Sequence, residues 1–184
     1  MKKITIILTI ITIFLISGCN YSRTVSYEIK HTPFASIKEM TKRADVIVTG
    51  TVIDKNKGEK INTIIVDNMP PKEMVFTVLT FNIENVIMGE LDKNKNIEIR
   101  QLGGTFKGVE YKCEQHKKLN ISKRYLLFLF KSELDNNDET EVYYIVNPIQ
   151  GFLEISNGKI VVDEDNDLFK SGEEVDKVIE GIIN

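Results

Sequence analysis

The longest β-like run of the chain, from Val75 to Leu91, is the feature that most constrains its fold. Large apolar side chains recur at every second residue up to Ile83, in a stretch rich in the β-branched and aromatic residues that strands favour. After Ile83 this alternation slips by one residue, as happens when an extra residue forms a bulge near Glu84 and Asn85. Because bulges bend long strands, and long bent strands build small barrels, the run predicts a β-barrel.

The rest of the chain predicts about seven antiparallel strands with a helix at each end. A capping box at Ser36 begins a short helix over Ile37–Ala44, and Ser171 is placed to cap a second helix over Gly172–Ile183. Gly50 lies within the first strand and indicates a bend or a close backbone approach. The other segments predicted as strands are Asp45–Ile53, Lys95–Gln101, Tyr125–Phe130, Val142–Val146, Gln150–Ile155 and Lys159–Val162.

The N-terminal residues have the pattern of an export signal. Lys2 and Lys3 make a short basic start, and Ile4–Ile16 is an apolar run interrupted only by threonines. This run is shorter than the roughly 20 residues that a bilayer-spanning helix needs, so it fits the apolar centre of a signal peptide. It ends in Ile16-Ser17-Gly18-Cys19, which resembles the lipobox of bacterial lipoproteins.

The lipobox resemblance implies a protein anchored to a membrane by lipid. In that family the cysteine receives a diacylglycerol and a peptidase cuts just before it, so Cys19 is the expected lipidated residue and Gly18 the last residue removed. The alternatives are an ordinary secretory signal or an uncleaved anchor. The lipoprotein interpretation predicts residues 1–18 as signal peptide, 19–33 as tether and 34–184 as a single domain. Its expected location is the outer face of the bacterial cytoplasmic membrane.

Removal of the signal changes the formal net charge from −3 to −5, because Lys2 and Lys3 leave with it. An acidic domain without a run of lysine or arginine is poorly suited to bind nucleic acid or an anionic membrane surface. We therefore expect no nucleic-acid partner, and contact with the membrane through the lipid on Cys19. Cys113 is then the one remaining thiol, so the mature domain has no internal disulfide.

Three strand-forming segments follow one another in an order that resembles the netrin module and the tissue inhibitors of metalloproteinases. They are Ala44–Val52, Phe76–Gly89 and Ser122–Leu129. The order is also similar to that of uncharacterised lipoproteins of low-GC Gram-positive bacteria. The resemblance implies the fold class, a mainly β chain forming an OB-like small barrel. In the inhibitor family a free N-terminal cysteine blocks the protease. Cys19 is instead expected to carry lipid, so the resemblance does not imply protease inhibition here.

An acidic loop before the second predicted helix has the spacing of a calcium-binding loop. Oxygen-bearing side chains occupy positions 1, 3, 5, 9 and 12 of such a loop, and here they are Asp163, Asp165, Asp167, Ser171 and Glu174. The sixth position is Leu168 rather than the glycine that the tight turn requires, and a strand rather than a helix precedes the loop. We therefore favour a solvated acidic loop with no cofactor, and keep calcium as the alternative.

Two other groups of residues are weaker candidates for a site. Cys113 and His116 lie three residues apart in a polar segment, where a thiolate beside an imidazole forms a nucleophile or half of a zinc site. His31 is the only other histidine of the chain, so we favour a lone thiol and an exposed histidine. Gly103 and Gly104 are interpreted as a strand break. No Gly-x-Ser-x-Gly sequence marks a serine nucleophile.

Aromatic residues of the predicted strands are candidates for a ligand groove, although aromatic side chains at strand spacing more often fill a core. They are Phe128, Phe130, Phe152 and Tyr143. The sequence as a whole predicts a non-enzymatic binding module for an extracytoplasmic protein, peptide or cell-wall component. The alternative is an extracytoplasmic metal-dependent sensor or enzyme that uses the Asp163–Glu174 loop or the Cys113/His116 pair.

Overall fold

Strand β4 is the longest element of the fold and spans Lys72–Met88 in the computed structural model of the chain. The structure describes residues 23–29, 31–56, 58–63, 72–114, 116–131 and 141–184. In these ranges the chain is mainly β, with eleven strands and two helices. The other strands are β1 (Arg23–Tyr27), β2 (Val46–Lys55), β3 (Glu59–Thr63), β5 (Asn96–Leu102), β6 (Gly104–Phe106), β7 (Val109–Cys113), β8 (Arg124–Lys131), β9 (Val142–Ile145), β10 (Phe152–Ser156) and β11 (Lys159–Val161). The helices are α1 (Ile37–Thr41) and α2 (Val175–Ile183).

The bulge predicted in the long strand is present in β4. Thr49 of β2 faces Asn85, while the next residue, Gly50, faces Ile83, which leaves Glu84 without a counterpart on β2. An extra residue of this kind bends a strand and increases its twist. The prediction made from the slip in apolar alternation is therefore confirmed.

The larger sheet has the strand order β11-β10-β8-β2-β4-β5-β9, and β3 pairs with β4 beside this path. β8 also pairs with β9, so β8 has β2, β9 and β10 as neighbours. β5 and β9 run parallel, and the other pairs of this sheet are antiparallel. A second sheet has the order β1-β7-β6, with β1 and β7 parallel.

The prediction of about seven antiparallel strands is corrected in number and in direction. The described ranges hold eleven strands, and two of their pairs are parallel. The strands that were not predicted are short and, apart from β3, belong to the second sheet, where polar sequence gives no apolar alternation to mark them. The parallel pairs follow from which strands meet in space, and a local sequence pattern carries no information on that.

Part of the segment predicted as a tether belongs to the second sheet. Residues 23–27 form β1 and pair in parallel with Val109–Cys113. The Tyr27 hydroxyl accepts a hydrogen bond from the backbone N–H of Val75 at 3.0 Å, and the Tyr27 ring stacks on Tyr111 with centroids 5.9 Å apart. These contacts hold the end of β1 against the rest of the domain, and with it the beginning of the segment that follows.

The two helices differ in how they begin. Helix α1 is shorter than predicted but is capped as predicted, because Ser36 Oγ accepts a hydrogen bond from the backbone N–H of Glu39 at 3.2 Å. Helix α2 begins after Glu174, whose side chain makes no capping hydrogen bond. The predicted cap at Ser171 is wrong, since its hydroxyl binds the backbone N–H and C=O of Val162 at 2.9 and 3.1 Å. The hydroxyl that would cap the helix is thus occupied by the backbone of Val162, the residue after β11.

Apolar side chains fill three clusters. The first joins β2, β4, β5 and β8 and includes Leu79 and Phe81, the second lies under the helices around Met40, and the third lies between the two sheets. Burial of a side chain of this size stabilises the fold by about 1.5–3 kcal/mol. Neither helix of the described chain has the length and apolar character needed to cross a membrane. The third cluster, which consists of Met74, Phe76, Leu102 and Cys113, supplies three of its members to the cleft described next.

Candidate functional site

An apolar cleft of about 390 Å³ is lined by residues of β4, β5, β8 and β9 and by residues of the segments that follow β1, β7 and β9. Apolar side chains dominate its walls, which is typical of pockets that bind organic groups. The apolar walls are formed by Ile29, Met74, Phe76, Leu102, Phe130 and Tyr144. The polar side chains that also reach the cleft are His31, Arg100, Gln101 and His116.

Tyr144 organises the aromatic part of the cleft. Its ring stacks on Phe130 with centroids 5.5 Å apart and 21° between the ring planes, and it meets Phe76 edge-on at 5.7 Å. Phe130 remains 38% exposed, so its outer face is open to solvent at the mouth of the cleft. An exposed ring held by a second ring presents a flat apolar surface at little entropic cost on binding.

Of the four aromatic residues proposed for a groove, Phe130 alone lines this cleft. Phe128 and Tyr143 are buried in the second and first clusters, at 0% and 3% exposure. Phe152 is partly buried and packs on the first cluster, where it meets Tyr125 edge-on. The expectation that such residues fill the core is therefore confirmed for three of them.

The two histidines of the chain meet at the edge of the cleft. His31 Nε2 and His116 Nε2 are 2.5 Å apart, although the residues are 85 positions apart in sequence. Their ring centroids are 4.6 Å apart, with the planes tilted by 47°. At this distance one Nε2 carries a hydrogen and donates a hydrogen bond, which the other Nε2 accepts. The two rings therefore hold opposite tautomers.

Burial keeps both imidazoles neutral at physiological pH. Loss of contact with water lowers the pKa of His116 to about 4, and the charge that His31 would carry lowers it further. Burial also lowers the pKa of His31. Desolvation disfavours the charged form of an imidazole, and a second positive charge at hydrogen-bond distance does so again. The pair therefore places two neutral rings, and no positive charge, at the edge of the cleft.

Two buried glutamines position the histidines. Gln150 is 1% exposed and exchanges hydrogen bonds with the backbone of Phe34, which accepts at 3.2 Å and donates at 2.8 Å, and so holds the segment that carries His31. Gln101 is 5% exposed and holds the segment that carries His116. Its side chain donates a hydrogen bond to the Lys117 carbonyl at 2.6 Å and accepts one from the backbone N–H of Leu119 at 3.0 Å. Buried amides with all these bonds made are rigid anchors.

A turn over residues 147–151 fixes Gln150 in turn. The Asn147 side-chain oxygen accepts hydrogen bonds from the backbone N–H groups of Ile149 and Gln150 at 2.9 and 3.0 Å. Its amide donates to the Thr32 carbonyl at 3.4 Å. Asn147 and Gln150 were not singled out from the sequence, although the Asn-Pro pair at the start of this turn is a signal for one.

A second hollow, of about 530 Å³, adjoins the cleft through His31, which lines both. We call it the acidic hollow, because three carboxylates, Glu114, Asp165 and Asp167, line it. One of them is also part of the anchor, since Asp167 Oδ1 accepts a hydrogen bond from Gln150 at 2.6 Å. An apolar cleft thus lies beside a concentration of negative charge.

Four of the five residues of the candidate calcium loop bind other groups in the structure. Asp163 forms an ion pair with Lys117, Asp167 accepts from Gln150, and Glu174 lies 3.5 Å from the Lys159 ammonium. The Ser171 hydroxyl binds the backbone of Val162, the residue after β11, and Asp165 lines the acidic hollow. The described ranges contain no group of three or more His, Cys, Asp or Glu side chains that could hold a metal ion.

The side chains of Cys113 and His116 contact different parts of the domain. The Cys113 side chain is 6% exposed and belongs to the third apolar cluster. The link between the two residues that the structure shows is a turn, in which the His116 backbone N–H donates to the Cys113 carbonyl at 3.0 Å. The His116 imidazole meets His31 instead, so the partner expected from sequence spacing is replaced by one from a distant segment.

The remaining sequence candidates fall in two groups. Cys19 and Gly18 lie outside the described residues, so lipidation stays a prediction. The glycine pair behaves as predicted, because β5 ends at Leu102 and β6 begins at Gly104, with Gly103 at a φ of +90°. A scan against models of known protein families finds no match to this chain, and a search of curated proteins finds none either.

Proposed function

We propose that this chain is a membrane-anchored extracytoplasmic lipoprotein whose domain acts as a non-enzymatic binding module. The support for the anchor is the leader sequence, in which a basic start, an apolar run and Ile16-Ser17-Gly18-Cys19 follow in the order of a lipoprotein signal. Lipid on Cys19 holds the protein on the outer face of the cytoplasmic membrane. Cleavage after Gly18 makes Cys19 the first residue of the mature chain.

The proposed scaffold is an OB-like barrel. Five strands support it, because β8 pairs with β2, β2 with β4, β4 with β5, β5 with β9 and β9 again with β8. A ring of pairs leaves no unpaired edge between its members, which suits a small domain that has to carry a site on its loops. The binding role is argued from the site, since a fold by itself does not define a function.

The single observation that carries the binding proposal is the apolar cleft with the exposed face of Phe130 at its mouth. Its volume is in the range that holds a few side chains or a small organic group. Glycan chains of the cell wall are polar and would leave its apolar walls unmatched. Of the three predicted partner classes, a peptide or a protein segment with a large apolar side chain fits best.

The acidic hollow adds a preference for charge. Glu114 and Asp165 lie next to the cleft, and His31 separates the two depressions. A basic residue beside the apolar anchor would therefore gain electrostatic energy, which salt would screen. We propose as occupant an extracytoplasmic peptide segment in which an aromatic or aliphatic side chain is followed by lysine or arginine.

Three capped tripeptides titrated into the full chain in lipid nanodiscs test this proposal. The peptides are Trp-Lys-Lys, Ser-Lys-Lys and Trp-Glu-Glu. We expect the first to bind at least about tenfold more tightly than the others, and to weaken as salt rises. Equal binding of Ser-Lys-Lys would show that surface charge alone is responsible and would refute the role of the cleft.

A pair of variants locates the binding. Phe130→Ala removes the exposed ring and should weaken Trp-Lys-Lys about tenfold, the usual effect of losing one good apolar contact. Ile53→Ala is the matched control, because Ile53 is 48% exposed but does not line the cleft. An equal loss in both variants would place the peptide elsewhere.

The lipid anchor has an independent test. Metabolic labelling with a radioactive fatty acid should mark the native protein, and Cys19→Ser should remove the label and release the protein from the membrane. Labelling that survives in Cys19→Ser would overturn the anchor proposal and leave the cleft proposal untouched.

A further inference from the structure

The histidine pair offers two nitrogen donors to one point in space. His31 Nε2 and His116 Nε2 face each other at 2.5 Å, at the boundary between the apolar cleft and the acidic hollow. The described residues give neither Nε2 another hydrogen-bond partner. Both nitrogens lie on segments without regular structure, one after β1 and the other between β7 and β8.

We propose that His31 and His116 form a site for a divalent transition-metal ion of the kind that imidazole binds well, Cu²⁺, Ni²⁺ or Zn²⁺. Neutral imidazole Nε2 is the commonest ligand for these ions. Because no cluster of three or more potential ligands exists in the described ranges, the pair supplies two ligands and water completes the coordination. A two-histidine site of this kind binds these ions in the order of their intrinsic affinity for nitrogen ligands, with Cu²⁺ bound most tightly.

The geometry allows the ion to enter with a small rearrangement. Two Nε2 atoms on one metal at bond lengths of about 2.0–2.1 Å are about 2.8–3.4 Å apart, for square or tetrahedral angles. The two rings therefore have to separate by somewhat less than 1 Å. The ring whose Nε2 carries the proton of the hydrogen bond also has to take the tautomer protonated at Nδ1, which frees its Nε2 lone pair for the metal. Gln101 and Gln150 hold the backbone of the two segments, so rotation of the imidazoles themselves supplies the movement.

The surroundings favour a cation at this point. Glu114 and Asp165 line the acidic hollow together with His31, so negative charge near this point attracts positive ions, and the hollow leaves room for water ligands. His31 and His116 also line the apolar cleft, whose walls lower the local dielectric around a bound metal. Ca²⁺ and Mg²⁺ are disfavoured because both donors are nitrogens rather than oxygens.

A bound ion would join two parts of the chain that are far apart in sequence. One segment follows β1 and carries Ile29 and His31, and the other carries His116, and all three residues line the cleft. Cross-linking them would fix that wall and stabilise the folded state, because the unfolded chain does not hold the two imidazoles together.

Thermal unfolding of the full chain in nanodiscs, purified without a polyhistidine tag and stripped with chelator, tests the site. We expect Cu²⁺ and Ni²⁺ to raise Tm, and a tenfold excess of chelator to reverse the rise. The rise should be lost in His31→Ala and in His116→Ala. No rise with either ion, or a rise that survives in both variants, would refute the assignment.

Three further measurements test which side chains bind the metal, and the first of them uses the native chain. Electron paramagnetic resonance of Cu²⁺ on the native chain should show hyperfine coupling to two imidazole nitrogens, and coupling to fewer than two would overturn the proposal. Cys113→Ser should keep the metal response, and its loss would make the thiol a ligand instead. Asp165→Ala should also keep the metal response, because the Asp165 carboxylate attracts the ion electrostatically but does not coordinate it. A failed peptide titration leaves all three results unchanged, so the metal proposal and the peptide proposal are tested separately.

Discussion

Gly50→Ala tests whether β2 and β4 approach as closely as the bulge requires. A Cβ at this position would lie 2.1 Å from the Asn82 carbonyl oxygen and 2.7 Å from the nearest atom of the Phe81 ring. Gly50 also pairs with Tyr125 on the opposite side, so β2 cannot move away from β4 without straining its pairing with β8. The sequence prediction of a bend or close approach at Gly50 is thereby confirmed.

The expected cost follows from the size of the overlap. An ordinary non-bonded contact of a methyl group needs about 3.4 Å or more, so the two backbones would have to separate by over 1 Å in the middle of the sheet. Overpacking of a rigid core costs about 1–3 kcal/mol and occasionally more, and backbone contacts belong at the upper end. For a chain of this length about 3 kcal/mol corresponds to a fall in Tm of roughly 6–12 °C.

Gly181→Ala is the matched control for that substitution. Gly181 lies within α2, and a Cβ built on it meets nothing within 4 Å. Alanine in a helix is more stable than glycine by about 0.5–1 kcal/mol, so this variant should unfold at a higher urea concentration than the native chain. Equilibrium urea unfolding followed by circular dichroism measures both. A Gly50→Ala midpoint equal to that of the native chain would refute the close approach of β2 and β4.

Three other predictions concern the site and its surroundings. Gln150→Leu should lower the free energy of unfolding by about 2–3 kcal/mol, because the buried N–H of Phe34 loses its acceptor, and unchanged urea unfolding would contradict this. The pKa of Glu141 is lowered mainly by the hydrogen bond from Lys95. The Glu141 carboxylate therefore contributes stability above the ordinary pKa of a glutamate, and this contribution is lost as the pH falls through the lowered pKa of the folded state. Glu141→Gln should therefore lose less stability than the native chain as the pH falls below the ordinary pKa of a glutamate. Calcium should leave Tm unchanged in the native chain and in Asp165→Ala, since Asp163 and Asp167 are bound to Lys117 and Gln150. A calcium-dependent rise in Tm that Asp165→Ala abolishes would support the calcium loop instead.

What the sequence predicted correctly was local in character. The bulge at Glu84 follows from the slip of a two-residue period, and the cap at Ser36 follows from a four-residue motif. Both are set by neighbours in the chain, so a single sequence contains the information. Ser171 shows the limit of this reasoning, because its hydroxyl binds the backbone of Val162, nine positions earlier, instead of capping the helix.

The candidate site could not be predicted in the same way. His31 and His116 are 85 residues apart and meet because β1 pairs with β7 and thereby brings the following segment beside the loop after β7. Nothing in either local sequence specifies that pairing. The anchors Gln101 and Gln150 look like ordinary polar residues until their burial is known. The sequence therefore supplied the residue types of the site, and the strand pairing supplied their arrangement.

The position of β1 also bears on how close the second sheet lies to the membrane. Strand β1 begins at Arg23, four residues after Cys19, and four residues of fully extended chain span at most about 14 Å. If Cys19 carries the lipid, the tether is this short link rather than the whole of residues 19–33. The start of the second sheet would then lie within that distance of the lipid headgroups.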